Sequence, residues 1–131
     1  MKMLNCVLLV DDDEINNFLT EKLLKKTGIC KKVKTSMNGG EALLYLAKSC
    51  CSFDEGFPEL ILLDANMPEM NGVEFLESFN QINLNTNTKV KVVVLTASED
   101  PRDKQKMTEL GAEAYLNKPL TEEKLFQIFE D

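Results

Sequence analysis

Three consecutive aspartates, Asp11, Asp12 and Asp13, a single Asp64, then Thr96 and Lys118, stand just past the ends of short apolar runs in this chain. Carboxylates gathered in one crevice repel each other and need a cation to neutralise them. Ligands that are all oxygen select a hard ion. Mg²⁺ fits best because it accepts few carboxylates and keeps its waters, and Mn²⁺ can substitute. A lysine supplies a mobile positive charge for a carboxylate or phosphoryl oxygen, and a threonine hydroxyl can donate to the same oxygens. A carboxylate nucleophile, a cation, Lys118 and Thr96 form a set suited to phosphoryl transfer. That chemistry needs no histidine, and the chain has none. One aspartate after a strand is ordinarily a turn or cap residue; reactive groups at four strand ends together are what point to chemistry.

Other chemistries lack their motifs. There is no GxGxxG and no GxxxxGK[ST], which disfavours dinucleotide and P-loop nucleotide binding, and Asn38-Gly39-Gly40 reads as a turn and cap. Cys6, Cys30, Cys50 and Cys51 make no CxxC pair, so a zinc site is disfavoured; they read as reduced thiols, with Cys6 in the core. The adjacent Cys50 and Cys51 leave a redox pair as the alternative. With 22 acidic and 15 basic residues the formal charge is −7. Such a surface repels phosphate backbones and anionic lipids at long range, so nucleic acid is not the expected partner. Apolar runs such as Cys6–Val10 and Leu60–Leu63 are too short to cross a bilayer, and Met1–Cys6 lacks the apolar stretch of a secretory signal. A cytoplasmic location is expected. A length of 131 residues suits one domain over the whole chain.

The elements that must hold these residues alternate between strand and helix. Met3–Val10 is a continuous apolar run, as in a strand buried on both faces. Ile15, Phe18, Leu19 and Leu23 recur at helical spacing, Asp13 starts that helix, and Gly28 stops it. Val33–Met37 is a weakly signalled second strand. Asn38 with Glu41 forms a capping box before the stripe Ala42, Leu43, Leu46 and Ala47. Cys51–Pro58 is a loop. Glu59–Leu63 is a third strand ending at Asp64, and Asn71 with Glu74 caps a helix carrying Val73, Leu76 and Phe79. Asn83–Lys89 reads as a surface loop. Val90–Leu95 is a β-branched fourth strand. Asp100 caps a helix with Pro101 at its first position and Met107 and Leu110 toward the core, and Gly111 ends it. Ala114–Asn117 is a fifth strand. Thr121 caps a last helix, with Glu122 and Glu123 in its first turn and Leu125, Ile128 and Phe129 as its buried stripe. Five strands and five helices in alternation predict a doubly wound α/β sheet, with ligands bound outside the carboxyl ends of the strands.

The runs Val7-Leu8-Leu9-Val10-Asp11-Asp12, Leu60-Ile61-Leu62-Leu63-Asp64-Ala65-Asn66-Met67-Pro68 with Gly72, Val92-Val93-Val94-Leu95-Thr96-Ala97, and Asn117-Lys118-Pro119 occur in that order. Over Leu4–Phe129 the chain resembles a receiver domain of bacterial two-component response regulators, of the free-standing type. Each motif alone is a weak match; the four in order are specific. The resemblance implies a flavodoxin-like (βα)5 fold with strand order 2-1-3-4-5 and helices on both faces. It makes Asp64 the phosphoacceptor, Asp11 and Asp12 the acidic pair of a Mg²⁺ site, and the backbone carbonyl of Asn66 a further ligand. Asp12 would ligate directly and Asp11 often through water. Thr96 matches the hydroxyl that moves toward the phosphoryl group, Tyr115 the aromatic switch, and Lys118 the lysine held by a Lys118-Pro119 bond that is commonly cis. Met67, Pro68 and Gly72 shape the turn after the phosphoacceptor. Asn66 and Ala97–Ser98 flank the path of an attacking water. Cys51–Pro58 and Gln81–Lys89 are slightly long, away from the reactive strand ends.

The resemblance implies a signalling switch and not a dedicated enzyme. A sensor histidine kinase or histidine phosphotransfer protein would donate the phosphoryl group, and a downstream protein would read the altered surface of the helix Arg102–Leu110, the fifth strand and the helix Glu122–Glu130. Rival readings are a pseudo-receiver that only binds proteins, and an electron carrier or phosphatase of similar topology.

Overall fold

The apolar run at the N-terminus builds β1 (Leu4–Val10), and from there strand and helix alternate among the described residues. Next come α1 (Glu14–Thr27), β2 (Cys30–Ser36), α2 (Gly39–Ser49) and β3 (Leu60–Asp64). They are followed by α3 (Gly72–Gln81), β4 (Lys91–Thr96), α4 (Pro101–Glu109), β5 (Ala114–Asn117) and α5 (Glu122–Phe129). The computed structural model describes residues 3–49, 58–82, 90–97 and 100–129. The loops expected at Cys51–Pro58 and Asn83–Lys89, apart from Pro58, lie outside the described residues, as do Ser98, Cys50 and Glu130.

All strand pairs are parallel and the order is β2-β1-β3-β4-β5, as the resemblance implied. Side chains alternate across the pleat, so each central strand feeds two cores. Leu8, Val10, Ile61, Leu63, Val92 and Val94 pack with Ala42 and Leu46 of α2, Phe75 and Leu76 of α3, and Met107 of α4. Val7, Leu9, Leu60, Leu62, Val93 and Leu95 pack with Leu24 of α1 and with Leu125 and Ile128 of α5. Burial on both faces is why these strands read as unbroken apolar runs.

The helix boundaries follow local chemistry. The Asp13 carboxylate accepts from the Ile15 and Asn16 amides at the start of α1, and Gly28 closes the helix in the left-handed region at φ 68°. A reciprocal capping box joins Asn71 and Glu74 at α3. Asp100 caps α4, with Pro101 in its first turn.

Several expectations need correction. In α2, Ala47 of the expected stripe is exposed, and Asn38 caps the Glu41 amide while the Glu41 carboxylate accepts from the Met37 amide, so the capping box is not reciprocal. The second strand begins at Cys30 and ends at Ser36, where the sequence pointed to Val33–Met37. As an edge strand it carries exposed Lys31 and Lys32, which hide it from an apolar pattern. The helical stripe of α1 is also displaced. Ile15, Phe18 and Leu19 are 72%, 61% and 57% exposed, while Asn17, Thr20 and Leu24 are buried. Spacing shows which residues share a face but not which face meets the sheet. Here the rotation agrees with the Asn17 side-chain amide donating to the Asp11 carbonyl at 2.8 Å.

Candidate functional site

Each expected reactive residue sits at the carboxyl end of its strand, as a doubly wound sheet requires. Asp11 follows β1, Asp64 and Thr96 end β3 and β4, and Lys118 follows β5. The register places Val10 beside Leu63, Asp64 beside Leu95, and Thr96 beside Asn117, so the strand ends lie level across the sheet. The Lys118 amide donates to the Thr96 carbonyl at 2.7 Å, tying the end of β5 to the end of β4. The Lys118-Pro119 peptide bond is cis.

Carboxylate oxygens of Asp11, Asp12 and Asp64 lie within 4.8 Å of one another. Asp11 and Asp64 are buried and Asp12 is exposed at the mouth. The Lys118 ammonium enters between the two buried acids, 3.0 Å from Asp11 Oδ2 and 3.3 Å from Asp64 Oδ1. Burial pushes the Asp64 carboxyl above its usual pKa and the Asp11 charge adds to the rise, while Lys118 and the Asn66 amide oppose it. Burial works against the Lys118 ammonium, but its hydrogen bond to Asp11 and the charges of Asp64 and Asp11 outweigh that, leaving its pKa raised.

Asp11 is the most heavily bonded of the three. Its Oδ1 accepts from the Asp13 amide at 2.9 Å, and its Oδ2 accepts from Asn16 Nδ2 at 2.6 Å as well as from Lys118. These donors hold the carboxylate in one orientation and occupy lone pairs that direct metal ligation would need. Asn16 and Asn17 were not singled out in the sequence. Their signal is two amides in the first turn of the helix that leaves the acid cluster, and a sequence cannot show which way they point.

Asn66 reaches both neighbours: its amide donates to Asp64 Oδ1 at 3.3 Å and its Nδ2 to Thr96 Oγ1 at 3.3 Å. Met67 is buried and Pro68 exposed; with Asp12 and Asn38 they line a cavity of about 160 Å³ beside the acids. Gly72 opens α3 with its amide donating to the Ala65 carbonyl at 3.0 Å. A Cβ there would stand 3.0 Å from Met107 Sδ and 3.3 Å from Ala65 Cα, so a side chain would push α3 away from the loop after Asp64. Tyr115 is half-buried on β5 against the cluster of Val94 and Met107.

The donor set fits a divalent cation. Three carboxylates converge, the ligands are oxygens, and the Lys118 ammonium stands beside the two buried acids, leaving the exposed Asp12 carboxylate open to an ion. The cluster is typical of a divalent-metal site. No helix among the described residues is long and apolar enough to cross a membrane.

The family model described as the response regulator receiver domain matches residues 7–130. The chain is 33% identical to the two-component response regulator ARR22 of Arabidopsis thaliana over 127 residues, 97% of this chain and 82% of that protein. It is 34% identical to the transcriptional regulatory protein CpxR of Escherichia coli over 93% of this chain, but spans 46% of that relative's length. A two-component response regulator from Cytophaga hutchinsonii superposes with a TM-score of 0.87 at 31% identity, covering 98% of this chain and 96% of that one. The chemotaxis protein CheY4 of Vibrio cholerae gives 0.77 at 29% identity, covering 96% of each chain. With its acidic triad of Asp11, Asp12 and Asp64 typical of the phospho-accepting site in two-component signalling, the chain belongs to the response regulator receiver domain family.

Proposed function

We propose that residues 1–131 act as one receiver domain in the cytoplasm, taking a phosphoryl group from a partner phosphohistidine onto Asp64. The observation that carries this reading is the convergence of Asp11, Asp12, Asp64 and Lys118 on one pocket at the strand ends. In the transfer, a carboxylate oxygen of Asp64 attacks phosphorus in line. The P–N bond breaks, its electron pair stays on the imidazole nitrogen, and an acyl phosphate forms. Mg²⁺, with Mn²⁺ as a substitute, would be held by Asp12, Asp64 and the Asn66 carbonyl, with Asp11 acting through water, and would neutralise charge on the transferring phosphoryl oxygens. Lys118 is placed to pair with one of those oxygens. Asp11 holds Lys118 in that position.

Phosphorylation adds about 1.5 to 2 negative charges and strong acceptor oxygens. Thr96, now accepting from Asn66, would turn its hydroxyl toward them, and Tyr115 would repack into the space left. The surface of α4, β5 and α5 then shifts between two packings, and a downstream protein reads it. The exposed Ile15, Phe18 and Leu19 on α1, the helix that leaves the acid cluster, supply an apolar face on which a histidine kinase or histidine phosphotransfer protein can dock.

The test is phosphotransfer to wild type and Asp64→Asn, followed by mass spectrometry. Wild type gains one phosphoryl group, lost on chelation of Mg²⁺, and the variant gains none. Undiminished labelling of Asp64→Asn would place the acceptor elsewhere, and no labelling of folded wild type by any phosphohistidine donor or by acetyl phosphate would favour a pseudo-receiver.

A further inference from the structure

The charge of this chain is unevenly distributed. Residues 22–48 contain seven lysines, Lys22, Lys25, Lys26, Lys31, Lys32, Lys34 and Lys48, against one acid, Glu41. That segment carries +6 within a chain of −7, so the rest carries −13. Lys25 and Lys26 pair with Glu21 and Glu122. Lys31, Lys32 and Lys48 are exposed and make no ion pair among the described residues.

These lysines border the open edge of the sheet. Among the described residues β2 is hydrogen-bonded to β1 alone, so its outer side presents backbone donors and acceptors along a seven-residue strand. Lys32 and Lys34 pair in register with Cys6 and Leu8, which places both on the face covered by α2. A cavity of about 400 Å³ lies there between β2 and α2, lined by Lys34, Thr35, Met37, Leu44, Tyr45 and Lys48. Leu44 is 57% exposed, and the Lys34 ammonium stands 5.5 Å over the Tyr45 ring. Glu41, the acid on this rim, is engaged locally, its Oε2 accepting from the Met37 amide and from Asn38 Nδ2 at 3.3 Å each.

We propose that the β2 edge and the β2–α2 groove form a second docking site, which takes an extended acidic segment of a partner protein as an added strand. Backbone groups spaced along an edge strand are matched by another polypeptide. Alternate acidic side chains of that strand meet Lys32 and Lys34, and an apolar side chain enters the groove against Leu44 and Tyr45. A duplex or an anionic membrane offers charge but no strand of donors and acceptors to pair with the β2 edge. Lysines on an edge can also serve only to block strand pairing between copies; an adjacent groove with an exposed leucine gives them a ligand to recognise.

The site does not use the acid cluster, so the test runs on the unphosphorylated protein. The probe is a synthetic peptide alternating glutamate with valine around a central phenylalanine, added to isotope-labelled protein while amide resonances are followed. Shifts confined to Lys31–Met37 and Leu44–Lys48, with slowed hydrogen exchange along β2, are expected. Reversing Lys32→Glu with Lys34→Glu should weaken binding about tenfold or more. Lys48→Glu, on the surface of α2, should weaken it in a fold left intact if the double variant unfolds. A glutamine-for-glutamate peptide should not bind. Absence of shifts, shifts elsewhere, equal binding of the glutamine peptide, or tighter β2 binding of short duplex DNA or phosphatidylserine vesicles would each overturn the proposal. So would self-association of Lys32→Thr with Lys34→Val when wild type binds no peptide, since the lysines would then only guard the edge.

Discussion

Lys118 Nζ stands 3.0 Å from Asp11 Oδ2, across 107 residues of chain, and the same nitrogen is 3.3 Å from Asp64 Oδ1. One ammonium thus offsets two buried carboxylates before any ion or phosphoryl group arrives. It also occupies space and charge that a cation would otherwise take alone.

Replacing Lys118 should separate the two roles of the pocket. In Lys118→Ala the acids lose their internal positive charge, so a divalent cation should bind a few-fold tighter, because repulsion between two like charges is gone. Phosphoryl acceptance should instead slow by about 10²–10³-fold, the usual loss when one preorganised donor to transferring oxygens is removed. Metal titration by fluorescence or calorimetry, beside labelling with acetyl phosphate, reads both quantities. A parallel fall in both would mean that Lys118 merely holds the pocket together.

The raised pKa of Asp64 makes a prediction about stability. A carboxyl whose folded pKa exceeds its unfolded value favours folding below the unfolded value, 3.8, and loses that contribution as pH rises through the folded pKa. At neutral pH the ionised Asp64 therefore works against the fold, chiefly through burial and next through Asp11. Asp64→Asn should melt at higher temperature than wild type at neutral pH without divalent ions. The gap should narrow on adding Mg²⁺, which would stabilise wild type by binding its folded form, and again in acid below the folded pKa. Thermal melts over a pH series check this; an Asn variant that melts lower at neutral pH would refute it.

The parts of the molecule that the sequence revealed were those where one physical signal dominates. The two-sided burial of β1, β3 and β4 writes itself as apolar runs, and Asp13, Gly28, Asn71 and Asp100 mark helix ends through their own side chains or backbone freedom. The candidate site was legible because Asp11, Asp64 and Thr96 stand at the ends of such runs and Lys118 just past the short β5. What stayed hidden depends on orientation across elements. Nothing in the string shows that Asn16 turns toward Asp11 while Ile15 and Phe18 turn away, because residues on all sides of α1 share one periodicity. The start of β2 was hidden for a different reason: Lys31 and Lys32 suit an exposed edge, and an edge strand has no obligation to look apolar.

Ile15, Phe18 and Leu19 are exposed on α1, with the Lys22 ammonium 5.8 Å over the Phe18 ring. They contribute little to the cores, so replacing Phe18→Ala with Leu19→Ala should change stability by no more than about 0.5 kcal/mol per site. If a phosphohistidine protein docks there, its transfer rate to the variant should fall about tenfold or more, since aromatic and aliphatic anchors dominate such contacts. Acetyl phosphate needs no docking surface, and its labelling of Asp64 should be unchanged. Measuring both donors on one preparation separates docking from chemistry. Equal losses with the two donors would mean that the substitutions disturb the acid cluster through α1, and unchanged rates with both would move the docking face elsewhere.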